Sequence, residues 1–225
     1  MATGWDGSQS LEKPSNLFYQ IVSRFAPHTI AAIFFGHTHQ DHFSVFYRAT
    51  SGRSADAPRH TSGAVTVALN APRVTPESNV NPSFRVYHVD PHTYDIYDWD
   101  QYYTDVDAFA ASAHGPVWHH LYSARHTYGD FCASVQDGQY AAHVALDGTH
   151  WPRGAPLNAT FWSALTDEMQ ARPELLTTFS QLQSRRSSRA NVCTNHDCRK
   201  ANLCYMRSAT AAQGQSCPQG FGSVM

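Results

Sequence analysis

Charge is scarce in this 225-residue chain. Charged residues make up 15% of it, against about 25% in an ordinary soluble domain. The formal net charge is -2, so the basic surplus that nucleic-acid binding requires is missing. No apolar run approaches the roughly 18 residues of a transmembrane helix. Met1 to Ser10 has no apolar stretch of the kind that forms a secretory signal. Internal repeats and long low-complexity segments are absent too. With 42% hydrophobic and 12% aromatic residues, the chain is neither disordered nor collagen-like and can bury a sizeable core.

Histidine is what the chain has in excess, 14 in all, which directs attention to metal or acid–base chemistry. Of the five cysteines, Cys132 stands alone and reads as a buried thiol. Cys193, Cys198, Cys204 and Cys217 crowd near the end with the spacing C-x4-C-x5-C-x12-C. Zinc knuckles favour tight C-x2-C pairs, so the spacing favours disulfides, with a zinc module that includes His196 as the other reading. The triplet Asn158-Ala159-Thr160 is a glycosylation sequon and points to the same oxidising route.

Hydrophobic periodicity places a helix over residues 16–26, with Leu17, Ile21 and Phe25 on one stripe and Ser15 as its cap. Ile30 to Phe35 reads as a strand buried on both faces. Further strands follow at Phe43–Tyr47, Ala64–Leu69, Phe84–Val89 and Tyr94–Trp99. Helices are expected at Val117–Tyr128, Phe161–Arg172, Glu174–Arg185 and Arg199–Ser208, and Ser184–Arg189 reads as a solvated linker. A strand-rich first half thus gives way to a helical second half near residues 105–115.

The sharpest feature is Ile33-Phe34-Phe35-Gly36-His37-Thr38-His39. A buried strand reaches a sheet edge, Gly36 permits a close turn, and in extended backbone the two imidazoles would face the same way. Such a pair suits a centre of two metal ions about 3.5–4 Å apart. Asp41 and His42 lie near enough to orient ligands or line a substrate edge. Elsewhere, packing explains the aromatic cluster Tyr94, Tyr97, Trp99, Tyr102 and Tyr103 better than a lipid-facing patch does.

Several blocks together resemble the acid sphingomyelinase family of the calcineurin-like metallophosphoesterase superfamily. Phe34 to Asp41 (FFGHTHQD) is similar to its final metal-binding block. Asn81-Pro82-Ser83-Phe84-Arg85-Val86-Tyr87 resembles its N-P-G-[FY]-R-V-Y strand, with Ser83 for Gly. Trp118 to Arg125, with Tyr128-Gly129, resembles its W-x-x-L-Y-x-A-R-x-x-Y-G segment. The resemblance implies an α+β fold: later strands of a four-layer metallophosphoesterase sandwich over residues 1–110, then a helical subdomain over 111–225. It implies hydrolysis of sphingomyelin to ceramide and phosphocholine at two zinc ions, with His37 on one and His39 on the other. It also implies disulfides Cys193–Cys198 and Cys204–Cys217, contact with a membrane surface, and a secreted or lysosomal/vacuolar site. Related enzymes of the group act on other phosphodiesters or on nucleotides.

Other parts of that family's site are not matched. Asp90-Pro91-His92, Asn195-His196-Asp197 and Gly129-Asp130 imitate its D-x-H, N-H-[DE] and G-D-x-x-D motifs but fall in the wrong order or lack the second acid. Met1-Ala2-Thr3-Gly4-Trp5-Asp6-Gly7 resembles the middle of its G-H-[IV]-P-x-G-W-D-G motif. The expectation is therefore a truncated chain, inactive alone, since catalytic zinc typically keeps three protein ligands. The other outcome is a non-catalytic fragment that binds lipid or a partner.

Overall fold

The computed structural model describes residues 12–48, 63–76, 79–109, 112–131 and 151–221. Cys132 and the Met1–Gly7 motif lie outside them. The first element is helix α1 (Glu12–Phe25). It starts before the expected cap: Ser15 is buried inside the helix, where its hydroxyl accepts a hydrogen bond from the Ala211 amide at 2.8 Å. The buried face is also not the one the periodicity selected. Val22 and Ala26 are buried with Phe18 against them, while Leu17, Ile21 and Phe25 are exposed. Two apolar stripes run along this helix, and the pattern alone does not rank them.

A first sheet has the order β1-β3-β2. Strand β1 (Ala32–Phe35) runs parallel to β3 (Ala64–Asn70), which pairs on its other side with antiparallel β2 (His42–Tyr47). β1 is an edge strand and not buried on both faces, since Phe34 is 58% exposed. A second sheet, order β4-β5-β6, is antiparallel throughout. It contains β4 (Ser83–Val89), β5 (Ile96–Tyr103) and β6 (His119–Ser123). β5 starts later than expected because Tyr94 sits in the hairpin turn with φ 61°. There Asp90 accepts from the His92 and Thr93 amides.

The expected helix over Val117–Tyr128 is a correction. Its first part is strand β6, recruited by the open edge of β5, and only Ala124–Tyr128 is helical (α3). Tertiary pairing outweighs local helical preference here. Behind α3 the Arg125 guanidinium donates to the carbonyls of Tyr97, Pro152 and Ala155, which pins the segment leading into the later helices onto β5. A short helix, α2 (Val106–Phe109), precedes β6.

The remaining helices are α4 (Ala159–Ala171), α5 (Pro173–Gln183), α6 (His196–Met206) and α7 (Ala211–Ser216). Asn158 caps α4 by accepting from the Phe161 amide, and Asn195 caps α6 in the same way. One large core joins β2, β3, β5, β6 and α3 to α4, α5 and α6. At its centre the Trp99 and Trp162 rings stack 4.9 Å apart, and Phe43 meets Trp162 at 4.6 Å. The architecture is α+β, with two small sheets and several helices.

Both expected disulfides are present, Cys193–Cys198 and Cys204–Cys217. They consume all four clustered cysteines, so a thiolate zinc module with His196 does not form. In the chain-entropy account, stabilisation grows with the loop closed. The Cys204→Ser/Cys217→Ser double variant, across a separation of 13, is expected to lose roughly 3 kcal/mol. The pair across a separation of 5 is expected to lose roughly 2. Urea denaturation checks the order; equal losses would assign the effect to local packing instead.

Candidate functional site

The connection from β1 to β2 must cross the end of β3, because the two strands flank it. Two strand spacings amount to about 10 Å, and the path across them curves. The curvature falls on the histidines: φ is 80° at His37 and 62° at His39. The extended backbone expected across His37–His39 is thus not found, and the turn does not use Gly36, where an added Cβ would meet nothing within 4 Å. A left-handed conformation costs a non-glycine residue roughly 1–2 kcal/mol, so other contacts must hold it.

They come from four directions. At the end of β3, Asn70 donates to the Thr38 hydroxyl at 3.0 Å. At the end of α5, Gln183 donates to the Asp41 carbonyl at 2.7 Å, and just past it Arg185 donates to the His39 carbonyl at 2.5 Å. From the β3–β4 connection, Arg73 Nη1 lies 2.7 Å from His39 Nδ1. From the second sheet, Arg85 forms an ion pair with Asp41 Oδ1, and the Tyr122 hydroxyl donates to Oδ2 at 2.5 Å.

The Arg85–Asp41 pair is almost wholly buried, with the guanidinium carbon 4.1 Å from the Trp99 ring centroid. Burial opposes the charge of Arg85, but Asp41 and the neighbouring tyrosine hydroxyls carry its pKa above the ordinary value. Burial, then Asp41, raises that of Tyr122. Arg185 is 1% exposed and is pushed down to about 10, chiefly by burial. The reading of Ser184–Arg189 as a solvated linker is therefore corrected at its first two residues, which are buried.

Of the four residues singled out in the loop, His37 is exposed and His39 half-buried. Asp41 turns inward with both carboxylate oxygens engaged. His42 packs against Phe43 and Phe179. Pattern reading did not find Arg73, Gln183 or Arg185, which converge only in the fold. The signal for Arg85 was a lone cation in an aromatic strand.

The fit to zinc is poor for these residues taken alone. Among the described residues no group of three or more His, Cys, Asp or Glu is placed to hold a metal ion. The Arg73 guanidinium also already stands at a ring nitrogen of His39. No step is therefore derived through a metal here.

Burial pushes the His42 ring from 6.5 down to about 4, against the opposing pull of Asp41. Above pH 6.5 the ring is neutral whether the chain is folded or not. Between 6.5 and about 4 only the unfolded chain takes up the proton, so stability falls with pH in that window. Thermal denaturation is expected to show a decline that His42→Gln flattens. An identical pH profile in the variant would count against this account.

No protein-family model matches the chain. Among curated proteins it is similar to a sphingomyelin phosphodiesterase of Homo sapiens, 30% identical over 204 residues, which are 89% of this chain and 27% of that protein. Sphingomyelin phosphodiesterase 1 of Caenorhabditis elegans is 38% identical over 123 residues, 54% of this chain and 20% of that protein. The Bos taurus sphingomyelin phosphodiesterase is 29% identical over 204 residues. This chain spans between a fifth and about a quarter of the length of these relatives. With the H-x-H loop, the arginine-bearing strand and the disulfide-tied end all in the expected order, the chain belongs to the acid sphingomyelinase family.

Proposed function

We propose that the chain acts in phosphodiester hydrolysis of sphingomyelin to ceramide and phosphocholine, with the loop 36–42 at the reacting phosphate. One observation carries this reading: two histidines in conformations that side chains avoid, in a loop held by buried donors from four other parts of the chain. Strain that the surroundings over-determine is typical of functional sites. On this reading β1 to β5 are later strands of a calcineurin-like metallophosphoesterase sandwich in residues 1–110, and 111–225 form its helical subdomain, whose one described strand, β6, pairs with β5 across that boundary.

The two disulfides suit an oxidising compartment, secreted or lysosomal/vacuolar. Asn158, whose Oδ1 serves the α4 cap, is the candidate glycan acceptor through its Nδ2. A second reading, binding of a lipid surface or a partner without catalysis, is favoured by the exposed apolar residues Leu17, Ile21 and Phe25 along α1. No helix of the described residues is long and apolar enough to cross a membrane.

Two imidazoles fall short of a catalytic zinc pair, so the chain alone is expected to release no phosphocholine from sphingomyelin vesicles with zinc present. Zinc-dependent turnover would overturn this. A chimera provides the positive test, with this chain replacing the matched segment of the Homo sapiens relative. It is expected to hydrolyse sphingomyelin and to lose about 100-fold or more in rate on His37→Ala or His39→Ala. A chimera that stays equally active with both histidines replaced would sink the assignment of this loop to the reacting phosphate.

A further inference from the structure

Three stretches of the chain enclose a cavity of about 290 Å³: the β3–β4 connection with Asn79 and Val80, the start of α2 with Asp105 and Val106, and the turn after α5 with Arg186 and Ser188. Its walls are tied to one another. Asn81 donates through Nδ2 to the Arg185 carbonyl at 3.0 Å and accepts from the Val106 amide at 3.2 Å. The Ser187 hydroxyl donates to the Asn79 carbonyl at 2.6 Å, and Arg189 pairs with Asp107 at 2.5 Å. At the turn the backbone is left-handed twice in succession, with φ 53° at Arg185 and 58° at Arg186. Arg185 turns inward to the carbonyls of His39 and Asn81, while Arg186 is exposed and lines the cavity. Strain that surrounding contacts hold in place is characteristic of functional positions.

The charges around the cavity are only half matched. Arg189 and Asp107 neutralise each other. Among the described residues the Arg186 guanidinium has no hydrogen-bond or ion-pair partner, and Asp105 uses one carboxylate oxygen, accepting from the Asp107 amide at 3.0 Å. A cation and an anion that share a cavity without pairing are the complement of a ligand that carries both charges. We propose that the cavity binds a compact zwitterion of the phosphocholine type, with its phosphate on Arg186 and its quaternary ammonium toward Asp105. A guanidinium presents a fork of N–H donors to phosphate oxygens. A quaternary ammonium has no N–H to place, so it needs a nearby negative charge and apolar contact for its methyl groups, and Pro76, Val80 and Val106 supply apolar wall. The volume lies at the small end of ligand sites, about 300–1,000 Å³, which suits a headgroup and not a whole lipid. The choice of phosphocholine among zwitterions rests on the sphingomyelin reading above. Free phosphocholine and the headgroups of a lipid surface share this chemistry.

Isothermal titration calorimetry of the whole chain with phosphocholine reads binding without turnover, so failure of the hydrolase reading and failure of this inference are told apart. Saturable binding is expected, tighter than that of inorganic phosphate or of choline alone. Arg186→Gln is expected to weaken it about tenfold. Asp105→Asn is expected to weaken it severalfold while leaving inorganic phosphate unaffected. Both side chains are exposed, so circular dichroism should show both variants folded. Flotation with phosphatidylcholine vesicles separates the two sources. Co-flotation that both variants lose assigns headgroups at a lipid surface, and binding of free phosphocholine without flotation assigns the released headgroup. Equal affinity for inorganic phosphate and phosphocholine, unchanged binding in both variants, or no binding in either assay would overturn the inference.

Discussion

A single buried carboxylate joins the two sheets. Asp41 lies in the β1–β2 connection of the first sheet, while its partners Arg85 and Tyr122 belong to the second. Taking both charges out of water costs several kcal/mol that their attraction only partly returns. The value of the pair lies in what it forbids. Any other docking of the loop would strand a guanidinium against Trp99 or a carboxylate against Tyr122, and an unpaired buried charge is far costlier than a paired one. The orientation of His37 and His39 follows from that constraint, because their loop ends at Asp41.

The loop also illustrates how topology generates strain. Two strands on opposite sides of a third can be joined by six residues only along a curved path, and glycine would be the economical choice at its left-handed positions. Histidine stands there instead. Thr38, between the two histidines, is buried and bonded to Asn70, which anchors the middle of the loop. On either side of it, His37 is exposed and His39 is half-buried against Arg73.

Much of this was legible in the residues. The strands of the first sheet and the three longest later helices follow their apolar runs closely, because those runs face a core directly. The histidine pair was visible as a motif. What periodicity could not deliver was anything decided by a distant partner. Leu17, Ile21 and Phe25 form as regular a stripe as Phe18 and Val22, yet the cluster around Phe46 and Ala68 selects the second. His119 to Ser123 became a strand because β5 offered an edge. Arg185, in a run of serines and arginines that looks solvated, is buried by bonds to Asn81 and His39, more than a hundred positions away. Motif spacing singled out four residues of the loop, and the fold determined where each of them sits.

The stacked rings of Trp99 and Trp162 come from a strand of the second sheet and a helix of the later half, with Phe43 of the first sheet beside them. Neither half can shield its tryptophan without the other. A recombination event with its breakpoint between Phe131 and Trp151 would leave each product with an aromatic surface open to water. The shared rings thus make the strand-rich and helical halves one folding unit, which neither could complete alone.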